Sequence, residues 1–238
     1  MDRWFYSERS PLSAKGVFVC ILDPASGEVN SKKYNTFSDE FFRQLDTGNG
    51  KGEVEANYSF DDLILTGSGA YVIGEWRYTI TLRDPYDVSP GITVKVNLAD
   101  DKDYLFKNMV VVKLGPKGQF VWDSRITKWQ IASNGTRYSG YSFLEKDGKV
   151  YLLYIDNPKN TSPKETLKRI NSSAPSKGII RVVEISKDGK PTIVADHPIK
   201  GMDVWPQVGR PILTEGNSIY ILADKKMNNR FLRMVIGN

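Results

Sequence analysis

The stretch Tyr141-Ser-Phe-Leu-Glu-Lys-Asp-Gly-Lys-Val-Tyr-Leu-Leu153 decides the fold class. It contains two apolar runs joined by Asp147-Gly148, a dipeptide typical of the tight turn in a β-hairpin. Similar stretches recur along the chain in two alternating forms, one aromatic-rich (62–74, 141–153 and 211–222) and one rich in Val and Ile (17–27, 109–118 and 179–189). Repetition of this kind predicts a modular all-β architecture.

One stretch of each form makes a four-stranded antiparallel meander, which is the unit of a β-propeller blade. The sequence therefore predicts a β-propeller-like array in a single domain, 1–238. Two blades are complete, at 60–126 and 140–196, and two are partial, at 3–35 and 209–237. Short helices are expected only at 38–45 and 163–170, which begin with helix-capping residues.

Two segments raise questions of pairing. Residues 3–7 lack a hairpin partner in this scheme, so we expect them to pair with a distant strand, with 231–236 as the first choice. Residues 78–82 and 92–98 alternate apolar and polar side chains, which predicts a protruding β-hairpin. An isolated hairpin is only marginally stable in water, so we expect its apolar face to pack against a neighbouring blade or against another chain.

Composition excludes several classes of function. The chain has 238 residues, a net charge of +5, one cysteine and one histidine. Many lysines lie in predicted turns and no basic helix is present, so no nucleic-acid partner is expected. A zinc site and an internal disulfide are excluded by the Cys and His count, and Cys20, in an apolar run, is expected to be a buried, inert thiol.

Known chemical signatures are also missing. The acidic run at 100–103 lacks the glycine and the distal glutamate of a calcium loop and is interpreted as a solvated turn. No catalytic motif, cofactor site, metal site, transmembrane segment or signal peptide is recognised in the sequence.

The turns indicate where a ligand would bind. Short glycine turns are expected on one face of the array and the long segments on the other, and binding residues concentrate on such loops. Two clusters leave equivalent strands on the long-loop face: Glu75, Trp76, Arg77 and Tyr78, and Asp156, Asn157, Lys159 and Asn160. Their mixture of aromatic, charged and amide groups suits a sugar or peptide. Alternatively, the aromatic residues pack between blades and the Asp-Asn-Pro segment is ordinary turn chemistry.

We therefore expect a non-enzymatic binding or scaffolding domain, whose partner is a protein, a peptide or a glycan. Self-association through strand edges or through the 78–98 hairpin is a further expectation. The alternative is a propeller-type carbohydrate-active hydrolase or lyase, with Glu75, Asp87, Asp156 and Asp203 as the carboxylates to examine.

Several segments carry a resemblance to a family. They are Gly16-Val-Phe with Ile21-Leu-Asp, the run from Leu65 to Glu75, Asp156-Asn-Pro-Lys-Asn160, and Val110–Trp122 with its blade-like pattern. Through them the chain resembles uncharacterised, predominantly exported Bacteroidetes proteins with β-propeller-type repeats. The resemblance implies the C-terminal part of a longer propeller in the periplasm or outside the cell, and it implies no activity.

Overall fold

The computed structural model describes residues 3–7, 10–39, 54–55, 58–81, 102–133, 135–163, 168–225 and 228–237. Its strands are β1 (Arg3–Ser7), β2 (Ser10–Leu22), β3 (Val29–Thr36), β4 (Val54–Glu55), β5 (Tyr58–Thr66), β6 (Gly69–Thr81), β7 (Lys102–Leu114), β8 (Phe120–Ser133), β9 (Tyr141–Lys146), β10 (Lys149–Asp156), β11 (Ile170–Asn171), β12 (Ile179–Ile185), β13 (Pro191–Pro198), β14 (Trp205–Glu215), β15 (Ser218–Lys225) and β16 (Asn228–Val235). In these segments the only helix of three or more residues is a 3₁₀ turn, Pro175–Lys177. No helix in the described segments is long and apolar enough to cross a membrane.

The strands form four sheets. In the first sheet the order is β1-β2-β3, with β4 also on β2, and in the second it is β5-β6-β7-β8, with β11 added beside β8. The third sheet has the order β9-β10-β12-β13 and the fourth β14-β15-β16. Pairing is antiparallel throughout, except between β8 and β11. The all-β prediction is therefore confirmed.

The sheets pack face to face in chain order. Alternate side chains of β10 show why: Val150, Leu152 and Tyr154 contact the second sheet, whereas Tyr151, Leu153 and Ile155 contact the fourth. A third apolar cluster, which includes Val17, Val19, Val72 and Val112, joins the first sheet to the second. Because successive side chains of a strand point to opposite faces, one apolar strand supplies two cores.

Three expectations about the chain's first half are wrong. Residues 3–7 pair with β2 in a local hairpin, not with a distant strand, because β2 already begins at Ser10. Strand residues 78–81 pair with 102–105, which puts Asp103 in a strand and not in a turn. Cys20 is exposed, because alternation along β2 turns it away from the second sheet. Residues 92–98, and with them the hairpin expected between 78–82 and 92–98, lie outside the described residues, as do Asp87, residues 40–45 of the first expected helix and residues 164–167 of the second. The described end of the second expected helix, 168–170, is not helical, and Ile170 belongs to β11.

Candidate functional site

A cavity of about 330 Å³ opens between the second, third and fourth sheets. It lies beside their first strands, β5, β9 and β14, at the ends opposite the glycine turns. Charged, hydroxyl and aromatic groups share its wall, which includes Asp61, Asp62, Arg77, Phe106, Tyr141 and Phe143. Concave sites of this size with a few convergent polar groups are typical of small-ligand binding.

A β-bulge in β5 brings two carboxylates to this cavity. Phe60 pairs with Gly74 and Asp62 pairs with Ile73, so Asp61 is an extra residue without an opposite partner on β6. In a regular strand neighbouring side chains point to opposite faces, and a bulge re-aims one of them. Asp61 and Asp62 consequently line the same cavity although they are adjacent in sequence.

Asp62 is held by a tyrosine from the next sheet. The Tyr141 hydroxyl donates a hydrogen bond of 2.5 Å to Oδ2 of Asp62. Burial raises the pKa of Asp62 above its ordinary value of 3.8; the Tyr141 hydrogen bond opposes this and the Asp61 charge adds to it. Burial, and then the Asp62 charge, raises the pKa of Tyr141, so the phenol keeps its proton and donates it at neutral pH.

Arg77 connects the cavity to a buried ion pair. Its Nη1 lies 2.5 Å from Oδ2 of Asp61, and its Nε donates to Oε2 of Glu75 at 2.8 Å. Oε1 of Glu75 pairs with Nζ of Lys128, and the side chains of Glu75 and Lys128 are fully buried. Lys128 also donates to the Gly140 carbonyl at 3.2 Å. Glu75 therefore orients the Arg77 guanidinium from the buried side, and the Arg77 side chain remains 41% exposed.

Two glycines let the third and fourth sheets meet at the cavity wall. A Cβ on Gly209 would lie 2.0 Å from the Ser139 carbonyl oxygen, and one on Gly140 would lie 3.2 Å from Cα of Gly209. Gly140 also has a φ of +86°, which side chains rarely adopt. Glycine is thus required here for close backbone approach.

The first predicted cluster is divided between two faces of the second sheet. Glu75 and Arg77 point to the third-sheet side, where Arg77 lines the cavity and Glu75 is buried behind it. Trp76 packs with the cluster that joins the first and second sheets, and its ring lies 6.0 Å from that of Tyr78. Only Arg77 of the four therefore reaches the cavity, and ligand binding by Trp76 and Tyr78 stays a prediction.

The second predicted cluster organises a loop. Oδ2 of Asp156 accepts a 2.6 Å bond from Arg181, and its Oδ1 accepts one of 2.7 Å from Asn160, both residues being buried. Asn160 further bonds the backbone of Lys168 in both directions, at 2.9 and 2.8 Å. Asn157 donates to the Arg169 carbonyl at 3.0 Å, and Lys159 is exposed. A ligand contact by these residues stays a prediction.

The relative position of the two clusters follows the prediction. The Tyr71 hydroxyl bonds the Gly148 carbonyl at 2.8 Å, so the glycine-turn ends of β6 and β10 are adjacent. At the other end, Gln130 bonds the Ile155 carbonyl at 2.7 Å and the Gly140 amide at 2.9 Å. Glu75–Tyr78 and Asp156 therefore lie toward the face opposite the glycine turns, as expected.

Sequence reasoning missed Asp61, Asp62 and Tyr141. One signal in the sequence could have revealed the two aspartates. Apolar residues occupy the even positions Tyr58 and Phe60 but the odd positions Leu63 and Leu65, and this change of phase indicates a bulge between them. In the described segments no group of three or more His, Cys, Asp or Glu side chains could hold a metal ion. Comparison of the chain with protein-family models, with curated proteins and with solved structures finds no significant match to any of them.

Proposed function

We propose that this protein is a non-enzymatic binding domain built as a β-propeller-like array, and that its ligand site is the cavity between the second, third and fourth sheets. The observation that carries the proposal is the bulge that turns both Asp61 and Asp62 toward one cavity. Bulges of this kind concentrate beside functional sites, where they re-aim side chains.

The cavity chemistry fits a small polyhydroxylated ligand such as a sugar unit. Carboxylates accept hydrogen bonds and the guanidinium donates them, whereas a sugar hydroxyl does both. The exposed Asp61–Arg77 pair supplies an acceptor and a donor side by side. Phe106 and Phe143 add apolar wall against the carbon skeleton. Asp61 and Arg77 neutralise one another, so this pair does not require a charged ligand.

Thermal-shift measurements with a panel of neutral monosaccharides and disaccharides test the proposal. A ligand at ten times its dissociation constant stabilises the folded state by about 1.4 kcal/mol, which is about 3–5 °C in a domain of this size. Asp61→Asn is expected to abolish the shift. The control is Asp188→Asn, which removes another exposed, ion-paired carboxylate (59% exposed, against 43% for Asp61) from a turn at the opposite end of the third sheet.

The outcome is decisive in both directions. A shift that is present in the native protein and in Asp188→Asn but lost in Asp61→Asn supports binding at the cavity. No shift with any sugar of the panel, or equal shifts in all three proteins, contradicts it.

One observation favours a second candidate, a carbohydrate-active hydrolase or lyase. Asp62, with its raised pKa, is suited to hold a proton as a general acid, beside the more exposed carboxylate of Asp61. Of the carboxylates first considered, Glu75 and Asp156 are buried in ion pairs and Asp203 pairs with Lys225. Release of nitrophenol from nitrophenyl glycosides, lost in Asp62→Asn, would favour this candidate over simple binding.

A periplasmic or extracellular location belongs to the proposal and rests on the family resemblance alone. Fractionation of cells that express the full-length gene tests it, and recovery in the cytoplasmic fraction would contradict it.

A further inference from the structure

The packing of the sheets follows one rule. The sheets follow one another in chain order, and every sheet has one face toward the preceding sheet and one face toward the following sheet. Each internal contact joins the following-side face of one sheet to the preceding-side face of the next. The three apolar clusters lie at these three contacts. Like faces never meet at any of them. Among the described strands, the rule leaves two faces without a sheet on them, one on the first sheet and one on the fourth.

The outward face of the fourth sheet carries several exposed apolar side chains. Leu232 and Met234 of β16 pack toward the third sheet, so Phe231 and Val235 point away from it. Phe231 is 74% exposed and Val235 is 53% exposed. Leu222, the cross-strand partner of Phe231, extends the same face, as do Tyr220 and its partner Leu213. Arg233 also lies on this face, where its guanidinium covers the Tyr220 ring and donates to the Ser218 hydroxyl at 3.1 Å.

The outward face of the first sheet has the same character. Val17 and Val19 pack toward the second sheet, so the intervening residues of β2 point away from it. Leu22 is 54% exposed and its partner Val29 is 47% exposed. Phe18 and Tyr34 continue the face with ring centroids 4.8 Å apart, and the exposed Cys20 lies between Phe18 and Leu22 on the strand.

We propose that these two faces are the halves of one interface, and that its occupant is a second copy of this chain. The fourth sheet of each copy packs on the first sheet of the other, which repeats the rule of the three internal contacts. Contacts between unlike faces form a closed ring when the rotation that relates the copies closes. Here a two-fold axis generates the contact twice, once from each copy. The product is a ring of eight sheets, the upper end of the usual range for β-propellers.

Three observations favour a second copy as the occupant. Each copy carries both faces, so the two halves are always present in equal amounts. Their side chains are of the kind that the internal contacts bury, and large exposed apolar faces mark interaction sites. Charge also suits the contact: Lys32, opposite Cys20 on the first sheet, is positive and Glu215, opposite Ser218 on the fourth, is negative. The cation on the fourth sheet, Arg233, already contacts the Tyr220 ring and the Ser218 hydroxyl.

Sedimentation velocity at 50 μM tests the proposal. The native chain is expected at twice its 26.9 kDa. Leu22→Glu and Phe231→Glu are each expected to be monomeric, because one altered face spoils both contacts of the ring. Both side chains are more than half exposed in a single copy, so far-UV circular dichroism of the variants should match the native spectrum. Val194→Glu, at a residue 49% exposed on β13, is the matched control and stays dimeric.

Mixing the two variants identifies which faces meet. The intact fourth sheet of Leu22→Glu fits the intact first sheet of Phe231→Glu, so an equimolar mixture at 200 μM gains a dimer that neither variant forms alone. The Cys20 thiol is expected to react with Ellman's reagent at least tenfold faster in Phe231→Glu than in the native dimer. A monomeric native chain, a dimeric Leu22→Glu or a mixture that stays monomeric would each overturn the proposal.

Discussion

Lys128→Met is the sharpest test of how the cavity is supported. The substitution removes the ammonium group that pairs with the fully buried Glu75 carboxylate and with the Gly140 carbonyl. Methionine fills most of the space that the lysine stem occupied, so the loss is mainly electrostatic. Breaking one side of a buried pair typically costs about 3–5 kcal/mol, because the remaining charge is left without compensation. Arg77 still bonds Glu75, so we expect a value near the lower end of that range.

The double variant Glu75→Leu/Lys128→Met separates charge from packing. Replacement of a whole buried ion pair by apolar residues is often close to neutral, so the double variant is expected within about 2 kcal/mol of the native protein although each single variant loses more. Urea unfolding measures this: with a slope of about 3 kcal/mol per molar, Lys128→Met lowers the midpoint by about 1 M. Lys190→Met, in an exposed ion pair, is the control and leaves the midpoint unchanged.

Two results would refute this reasoning. One is a Lys128→Met midpoint equal to that of the control. The other is a double variant whose loss equals the sum of the two single losses, since that would mean that the two groups do not depend on one another.

Three further variants probe other parts of the site. Asp62→Asn is expected to stabilise the protein at pH 7. Because the pKa of Asp62 is raised, the folded state binds the proton more tightly than the unfolded state does. The stability of the native protein therefore falls as pH rises from 3.8 through the folded-state pKa, whereas asparagine carries no charge at any pH. The difference between the two proteins should vanish below pH 3.8, and a difference that is independent of pH in thermal unfolding would contradict this explanation. Gly209→Ala is expected to lower the thermal midpoint by about 2–12 °C, the effect of about 1–3 kcal/mol of overpacking, because the new Cβ meets the Ser139 carbonyl. Gly67→Ala has open space and serves as the control. Asn160→Ala removes three bonds that hold Asp156 and Lys168; trypsin is expected to cut after Lys168 faster than in the native protein, and an unchanged cleavage rate would show that the loop is held by other contacts.

The sequence predicted the sheets well where apolar residues are dense. Every residue of 150–155 is apolar, and each side of β10 meets a different core, as expected for a strand buried on both faces. It failed where apolar residues are sparse: Ser10–Gly16 contains Pro11, two serines and a lysine, and was not recognised as the start of β2. The hairpin partner of β1 was missed for that reason.

The candidate site was predicted only at the level of its face. Arg77 was expected, whereas Asp61, Asp62 and Tyr141 come together through a one-residue bulge and through the packing of two sheets. A bulge changes which face a side chain occupies without any change in composition. Distances between sheets depend on close approaches such as that of Gly140 to Gly209, which a pattern of single residues does not encode.

The serial packing of the sheets also has a consequence for local unfolding. Each sheet is built mainly from strands consecutive in the chain and contacts its sequence neighbours, so stability approximates a sum of sheet terms and nearest-neighbour terms. Within the part of the chain that the structure describes, the first and fourth sheets of a single copy have one neighbouring sheet each, while the second and third have two. Amide hydrogens of β7 and β10 should consequently exchange with solvent last, and those of β3 and β16 first. Transient opening therefore begins at the two ends of the series and reaches the second and third sheets, which hold Asp62 and Tyr141, only when the whole domain unfolds.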